Sequence, residues 1–323
     1  MTNHTNEIKN NEIIYDIITA VLGFIGVFGT LLNLFVIIVI IKDSSKKLWI
    51  PINITVLSLA SGEFLVGLFG DPFTFTSAYN RGWYWSYDTC IWYAWFMSTL
   101  GLSSIGHLTV MATERWFMIV KPMYLLTIKS SWILAVCVWI YAFCLSLPPL
   151  VGWGKYGFEA ANLSCSVLWE INDPSTHNDT YIAFLFLFGF IVPVVIIITA
   201  YIGIISRLKK SKKLHAKAVG KRERKVTIMV AVMITAFMVA WTPYAMFALA
   251  AQYFSFKLTG LVSTIPSILA KSSICYNPII YAGLNPQFHK ALKEMFRTRD
   301  TIQITMPQKK RKFSNLQTNT TRV

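Results

Sequence analysis

The sequence predicts an all-α membrane protein, a seven-transmembrane helix bundle followed by a short amphipathic eighth helix. Three observations carry that prediction. The 323 residues are 54% hydrophobic and only 14% charged, which is the composition of a membrane chain. Seven apolar runs of about 20 residues or more can be marked, each long enough to cross a bilayer. The basic clusters fall on one side of the topology that those runs impose.

Residues 1–15 form a polar N-terminal tail with no basic stretch leading into a cleavage site, so the first span is the expected insertion signal. The spans lie near 16–41, 51–75, 87–120, 131–152, 181–208, 222–252 and 258–282. Each must be helical, because lipid offers an open backbone no hydrogen-bond partners. Residues 16–285 thus make one membrane domain, closed by Gly283-Leu284-Asn285-Pro286. Residues 286–297 then read as the amphipathic helix: Phe288, Leu292 and Phe296 recur at i, i+4 and i+8, an apolar stripe suited to the inner leaflet. The polar tail, 298–323, is expected to be disordered.

The net charge of +15 is placed by the topology. Lys42, Lys46 and Lys47 follow the first span, Lys121 and Lys129 flank the loop after the third, the run 207–225 joins the fifth to the sixth, and 290–312 lies in the tail. The positive-inside rule puts all of these in the cytoplasm and the N-terminus outside, as for a multi-pass protein of the plasma membrane. Such a surface is expected to meet anionic membrane lipid and an acidic protein partner rather than nucleic acid. The sequons at Asn3, Asn162 and Asn178 fall outside and are expected to be glycosylated, while those at Asn53 and Asn319 are not. Of the five cysteines, Cys90 and Cys165 face the outside and are expected to pair, and Cys137, Cys144 and Cys275 sit within helices. The histidines are scattered, with no metal-ligand spacing.

Polar residues within the spans are few. Lys271 ends the stretch Leu261–Lys271 with about ten helical residues on each side, too far from either surface to snorkel. An ammonium there costs about 2.5–3.5 kcal/mol, so its first reading is functional. Such an amine can condense with an aldehyde to a Schiff base. Asn33, Glu63 and Asn277 should face inward and bond one another and water. Their alternative is three independent packing bonds. Glu114, Arg115 and Trp116 close the third span, and Glu223 opens the sixth within a basic run, so an Arg115–Glu223 pair would be a breakable latch. Phe237, Trp241 and Tyr244 form one stripe at i, i+4 and i+7 beside Pro243, either ordinary core or the lining of a proline hinge. Tyr201 and Tyr281 are phenols placed to trade partners if the sixth span moves.

Asn33, Glu63, Glu114-Arg115-Trp116, Pro193, Trp241-Thr242-Pro243-Tyr244 and Asn277-Pro278-Ile279-Ile280-Tyr281, in that order with Cys90 and Cys165, resemble a rhodopsin-class G-protein-coupled receptor over about residues 16–297. Lys271, six residues before Asn277, narrows the resemblance to an opsin. The chain looks most like ciliary opsins of the encephalopsin-like group, from 114–123 and Asn285–Phe288. The resemblance implies retinal, 11-cis in the dark and all-trans after light, held as a Schiff base on Lys271. It implies a pocket of Tyr93, Ser98, Gly101, Phe190, Phe237, Trp241, Tyr244 and Ser267, with Trp241 against the polyene. It also implies an outward swing of the sixth helix and a heterotrimeric G protein of the Gi/o class. Arrestin and a receptor kinase would act on Thr298, Thr301, Thr305, Ser314, Thr318, Thr320 and Thr321. The closing Thr321-Arg322-Val323 resembles a ligand for PDZ domains. The chain departs from ciliary opsins at Asn285-Pro286-Gln287, and no cysteine follows the eighth helix.

A protonated Schiff base in a dry pocket needs a carboxylate. Vertebrate visual opsins hold one where this chain has Tyr93. Among the remaining acids Glu63 lies too deep, Glu114 and Glu223 belong to the cytoplasmic floor, and Asp71 has no clear orientation. Glu159 is left, six residues before Cys165, and the resemblance makes it the displaced counterion of bistable opsins. A retinal photoisomerase of the retinochrome type, a receptor whose Lys271 pairs with a ligand carboxylate, and a transporter are the competing readings. No paired broken helices or inverted halves in the sequence support the transporter.

Overall fold

The computed structural model describes residues 2–43, 46–122, 126–159, 161–169, 175–213, 220–254 and 260–304. The bundle consists of α1 (Thr2–Ile41), α2 (51–79), α3 (Tyr87–Val120), α4 (Ile128–Ser146), α5 (178–213), α6 (Lys221–Phe254) and α7 (264–284), followed by α8 (Pro286–Ile304). Between α4 and α5 lies an antiparallel hairpin, β1 (Tyr156–Phe158) and β2 (Cys165–Val167), in the register Tyr156↔Val167, Gly157↔Ser166, Phe158↔Cys165. Helix α3 is central, packing on α2, α4, α5, α6 and both strands. Phe24, Val27, Ile140, Ile202 and Val239 point outward from the bundle, as lipid requires.

Helix ends follow local chemistry. Ser86 caps α3 by accepting from Thr89 N at 3.2 Å, and Thr127 with Ser130 forms a capping box on α4. Prolines decide the irregular turns. Pro72 and Pro193 each lack an N–H and crowd the carbonyl four residues back. Each is preceded by a π turn, Val66–Gly70 in α2 and Leu187–Ile191 in α5, which absorbs the clash. Pro278 has the same effect in α7, where a 3-10 turn spans Ser273–Cys275.

The boundaries correct several expectations. Helix α1 begins at Thr2, so the expected tail 1–15 is largely helical; neither proline nor glycine occurs before Gly23. The fourth helix stops at Ser146, and Pro148-Pro149 turns 148–151 into a 3-10 segment instead of extending the span to 152. Helix α8 runs to Ile304 rather than 297, since no helix breaker intervenes before Pro307. Residues 305–323, with Thr305, Ser314, Thr318, Thr320, Thr321 and the terminal PDZ-like triplet, lie outside the described residues. Five of the seven spans are long and apolar enough to cross on composition alone. The third carries Ser98, Ser103, Ser104 and His107 along its middle, and the seventh is broken by its 3-10 turn. Their place inside the bundle accounts for that polarity.

Candidate functional site

A cavity of about 180 Å³ lies inside the bundle between α3, α5, α6, α7 and the hairpin. Tyr93, Ser98, Gly101, Glu159, Phe190, Phe237, Trp241, Tyr244, Ser267 and Lys271 all line it. The π turn of α5 brings Gly189 and Phe190 to the wall. Phe237 stacks on Trp241 with centroids 5.5 Å apart, and Trp241 meets Tyr244 edge-on at 6.2 Å. The Trp241 indole also donates to Ser273 Oγ at 3.1 Å, tying α6 to α7. Gly101 is required by this packing: a Cβ there would lie 2.7 Å from the Trp241 ring.

The hairpin roofs the cavity. Cys90 and Cys165 are bonded, with Cα atoms 5.5 Å apart, as the topology implies. The Tyr156 hydroxyl donates to the Ser146 carbonyl at 2.7 Å and that of Tyr181 to the Leu145 carbonyl at 3.1 Å, locking strand and helix beneath the roof. Burial pushes the Tyr156 phenol up to about 12, so it stays a donor through neutral pH. Glu159 and Ser164 face each other across the turn, Glu159 N donating to Ser164 O at 2.9 Å. Trp169, just past β2, donates from its indole to the Tyr244 hydroxyl at 3.0 Å.

Lys271 reaches up to this roof. Its Nζ donates to Ser267 Oγ at 2.9 Å and to Ser164 Oγ at 3.3 Å. Glu159 accepts from the Tyr244 hydroxyl at 3.4 Å, and Tyr93, Glu159 and Asp71 are the groups that act electrostatically on the amine. Asp71 is 2% exposed and stands against Gly26 of α1. Neither of its carboxylate oxygens has a hydrogen-bond partner among the described residues. Ser164 and Trp169 escaped the sequence reading, because their place at the site depends on the roof folding back across 107 and 75 residues of chain. The adjacency of Ser164 to Cys165 was the available signal.

At the opposite end Arg115, 2% exposed, donates to Glu114 at 3.1 Å and to Glu223 at 3.2 Å. The expected Arg115–Glu223 pair is therefore present. Tyr201 donates to the Thr227 carbonyl at 3.2 Å, bridging α5 and α6, and Tyr281 is fully buried against Phe288. Asn277 donates to Glu63, as expected. Asn33 does not join them, and instead donates to the carbonyls of Gly29 at 2.9 Å and Ile274 at 2.8 Å. Ile274 lies four residues before Pro278, so its carbonyl lacks the α-helical donor from that position, and Asn33 donates to it. Phe288 and Leu292 pack onto the core, so this part of the α8 stripe faces the bundle rather than only the leaflet. The free cysteines are Cys137, Cys144 and Cys275.

Asn162 is exposed, but the expected glycan at Asn178 is overturned. Its side chain is 0% exposed, its Nδ2 donates to Leu168 O at 2.7 Å and its Oδ1 accepts from Lys155 N at 3.0 Å. A side chain held this way with no exposed surface leaves no room for a glycan on Nδ2. The side chain of Asn3 lies outside the described residues.

Residues 32–281 match the 7 transmembrane receptor (rhodopsin family) domain. A blue-sensitive opsin of Carassius auratus is 35% identical over 291 residues, covering 88% of this chain and 82% of that protein. A Gq-coupled rhodopsin of Mizuhopecten yessoensis is 31% identical over 291 residues, 84% of this chain and 57% of that one. Among solved structures, squid rhodopsin superposes with a TM-score of 0.78 at 25% identity, covering 89% of this chain and 86% of the other. One relative is a blue-sensitive opsin and another a Gq-coupled rhodopsin, so the likeness reaches opsins broadly and does not single out the encephalopsin-like group.

Proposed function

This chain belongs to the rhodopsin family of seven-transmembrane receptors, with opsins among its relatives, and from that premise we propose that it is a light-activated receptor holding retinal on Lys271. One observation carries the reading: among the described residues a single amine lines a largely apolar and aromatic cavity, beneath a disulfide-held roof that brings the Glu159 carboxylate to the same cavity. The residues fit an elongated apolar aldehyde. Phe190, Phe237 and Trp241 would flank its chain, and Lys271 would hold its carbonyl end as a Schiff base. Retinal supplies the visible absorption and the 11-cis to all-trans change of shape. The protein supplies a dry cavity, a positioned amine and a carboxylate to keep the linkage protonated, Glu159 being the proposed counterion in a bistable pigment.

Glu114, Arg115, Glu223, Tyr201, Asn277, Pro278, Tyr281, Glu63 and Asn33 form the proposed switch, in which α6 swings away when the Arg115–Glu223 pair opens. This machinery supports signalling; a retinal isomerase would not need it. By its basic clusters the Arg115 end faces the cytoplasm of the plasma membrane, with a heterotrimeric G protein of the Gi/o class as the proposed partner. Arrestin and a receptor kinase would act at Thr298, Thr301 and the tail beyond, and a PDZ domain at Val323. The Gq-coupled relative makes Gq the class to assay beside Gi/o.

The test is to purify the chain with 11-cis-retinal, record its spectrum, and follow light-dependent nucleotide exchange on Gi/o and Gq. A visible band with exchange on Gi/o is expected. No visible band would remove the pigment reading, and a band without exchange on either class would remove the receptor reading.

A further inference from the structure

A second cavity, of about 520 Å³, opens at the Arg115 end between the loop after α1, the start of α6 and the start of α8. Five cations line it: Lys47, Lys221, Arg222, Lys225 and Lys290. Among the described residues no carboxylate lines it. Glu223, the sequence neighbour of Arg222, is not among the lining residues and binds Arg115 at 3.2 Å instead. Lys47 has one acidic partner, Glu294, at 2.8 Å. The other four have none within 4.0 Å among the described residues. Like charges gathered from three elements repel one another, and a polyanion between them offsets that repulsion.

We propose that this cavity binds the multiply phosphorylated headgroup of an inositol lipid. A single carboxylate would satisfy one or two of the cations, whereas phosphate groups spread around a ring can reach all three elements. Arg222 offers the paired donors that match phosphate oxygens, the lysines supply point charges, and the Gln287 amide lining the same cavity adds a donor. Position selects a lipid over a soluble polyanion. The cavity lies where α7 gives way to α8 and where α6 begins, at the edge of the apolar spans. A headgroup can enter from the adjoining leaflet while its acyl chains stay in lipid. Bound there, it would join α6 to α8 and the first loop. Those two are already linked to each other by Lys47–Glu294 and braced nearby by Asn285–Asn53, so the lipid would restrain the helix that Arg115 and Glu223 also latch. None of this depends on retinal or light.

The test uses the full chain in nanodiscs. One set contains phosphatidylcholine alone. A second adds phosphatidylinositol 4,5-bisphosphate, and a third adds phosphatidylserine at matched charge. Binding is read by fluorescence transfer from the protein tryptophans to labelled lipid, and soluble inositol 1,4,5-trisphosphate and inorganic phosphate serve as competitors. Saturable binding of the bisphosphate is expected, at least tenfold tighter than of phosphatidylserine. The variant R222Q/K225Q/K290Q should lose it at least tenfold, while K129Q/K209Q/K210Q, with the same change in charge outside the cavity, should stay within twofold. Equal losses in both variants, or equal binding of phosphatidylserine, would overturn the site as a diffuse basic surface. Competition by the trisphosphate at the concentration of the lipid would overturn the lipid source in favour of a soluble one. Should the triple variant fail to fold, Lys290→Gln alone must still weaken binding about threefold, and no change in it sinks the proposal.

Discussion

At the roofed end, β1 and β2 are bonded to α3 through Cys90–Cys165 and pinned by two buried phenols on the carbonyls of Ser146 and Leu145. At the other end α6 is held by the Arg115–Glu223 pair, whose acid is 31% exposed, and by one bond from Tyr201 to the Thr227 carbonyl. A disulfide contributes about 2–5 kcal/mol, whereas a partly exposed ion pair or a neutral hydrogen bond contributes about 1 kcal/mol. The first end is therefore held by much the stronger restraints. The second has the weak ones that the proposed switch needs in order to open. Trp241 joins the two, one face in the cavity and its indole on Ser273 of α7, on the same helix as Pro243.

Removing the amine should produce the largest effect. Lys271→Ala is expected to abolish visible absorbance after reconstitution with 11-cis-retinal while the protein still reaches the membrane, measured by difference spectra against surface labelling. Retained visible absorbance would show that the roofed end does not work through Lys271. Next in size, Cys90→Ser or Cys165→Ser should cost about 2–5 kcal/mol at the roof. The readout is a marked loss of folded yield and faster bleaching in hydroxylamine, with Cys137→Ser as an unaffected control.

A subtler distinction separates the three ionisable groups that act on Lys271, namely Glu159, Tyr93 and Asp71. Glu159→Gln should move the dark pigment toward the ultraviolet at neutral pH, because the linkage loses the charge that keeps it protonated, whereas Tyr93→Phe should stay visible. An unchanged spectrum in Glu159→Gln would pass the counterion role to Asp71, and Asp71→Asn would then be the variant that shifts. The smallest change belongs to the other end. Glu223→Gln should raise nucleotide exchange in the dark about fivefold, the equivalent of about 1 kcal/mol, and leave the absorption maximum where it is. A shifted spectrum in that variant would mean that the two ends are not separable in the way proposed.

The bundle was largely legible from residues alone. Apolar runs of membrane length, their basic flanks, an intramembrane lysine and two outward cysteines are local or topological signals, and lipid leaves a chain of this kind few alternatives. The stripe Phe237, Trp241 and Tyr244 stood out by its own spacing, whereas Tyr93, Ser98, Gly101, Phe190 and Ser267 were legible only through the resemblance to opsins, because they come from separate helices. Boundaries were less so: α1 extends back to Thr2 and α8 on to Ile304, since helices continue where nothing breaks them, and polarity by itself breaks nothing. Asn178 shows the opposite failure, a sequon whose side chain the fold uses to bind Leu168 and Lys155.

What the sequence by itself determined is the set of helices, their order, which ends carry the charge and which side chains are too polar for lipid. Those follow from the cost of exposing charge and backbone to hydrocarbon, a cost each segment bears alone. Tertiary structure decided which of these groups meet. Ser164 reaches Lys271, Asn33 serves the carbonyl four residues before Pro278, the Asp71 carboxylate stands with no hydrogen-bond partner among the described residues, and Glu223 pairs with Arg115 while five cations surround a second cavity. Each of those contacts joins residues far apart in the chain, and only the packing of complete helices brings them within reach.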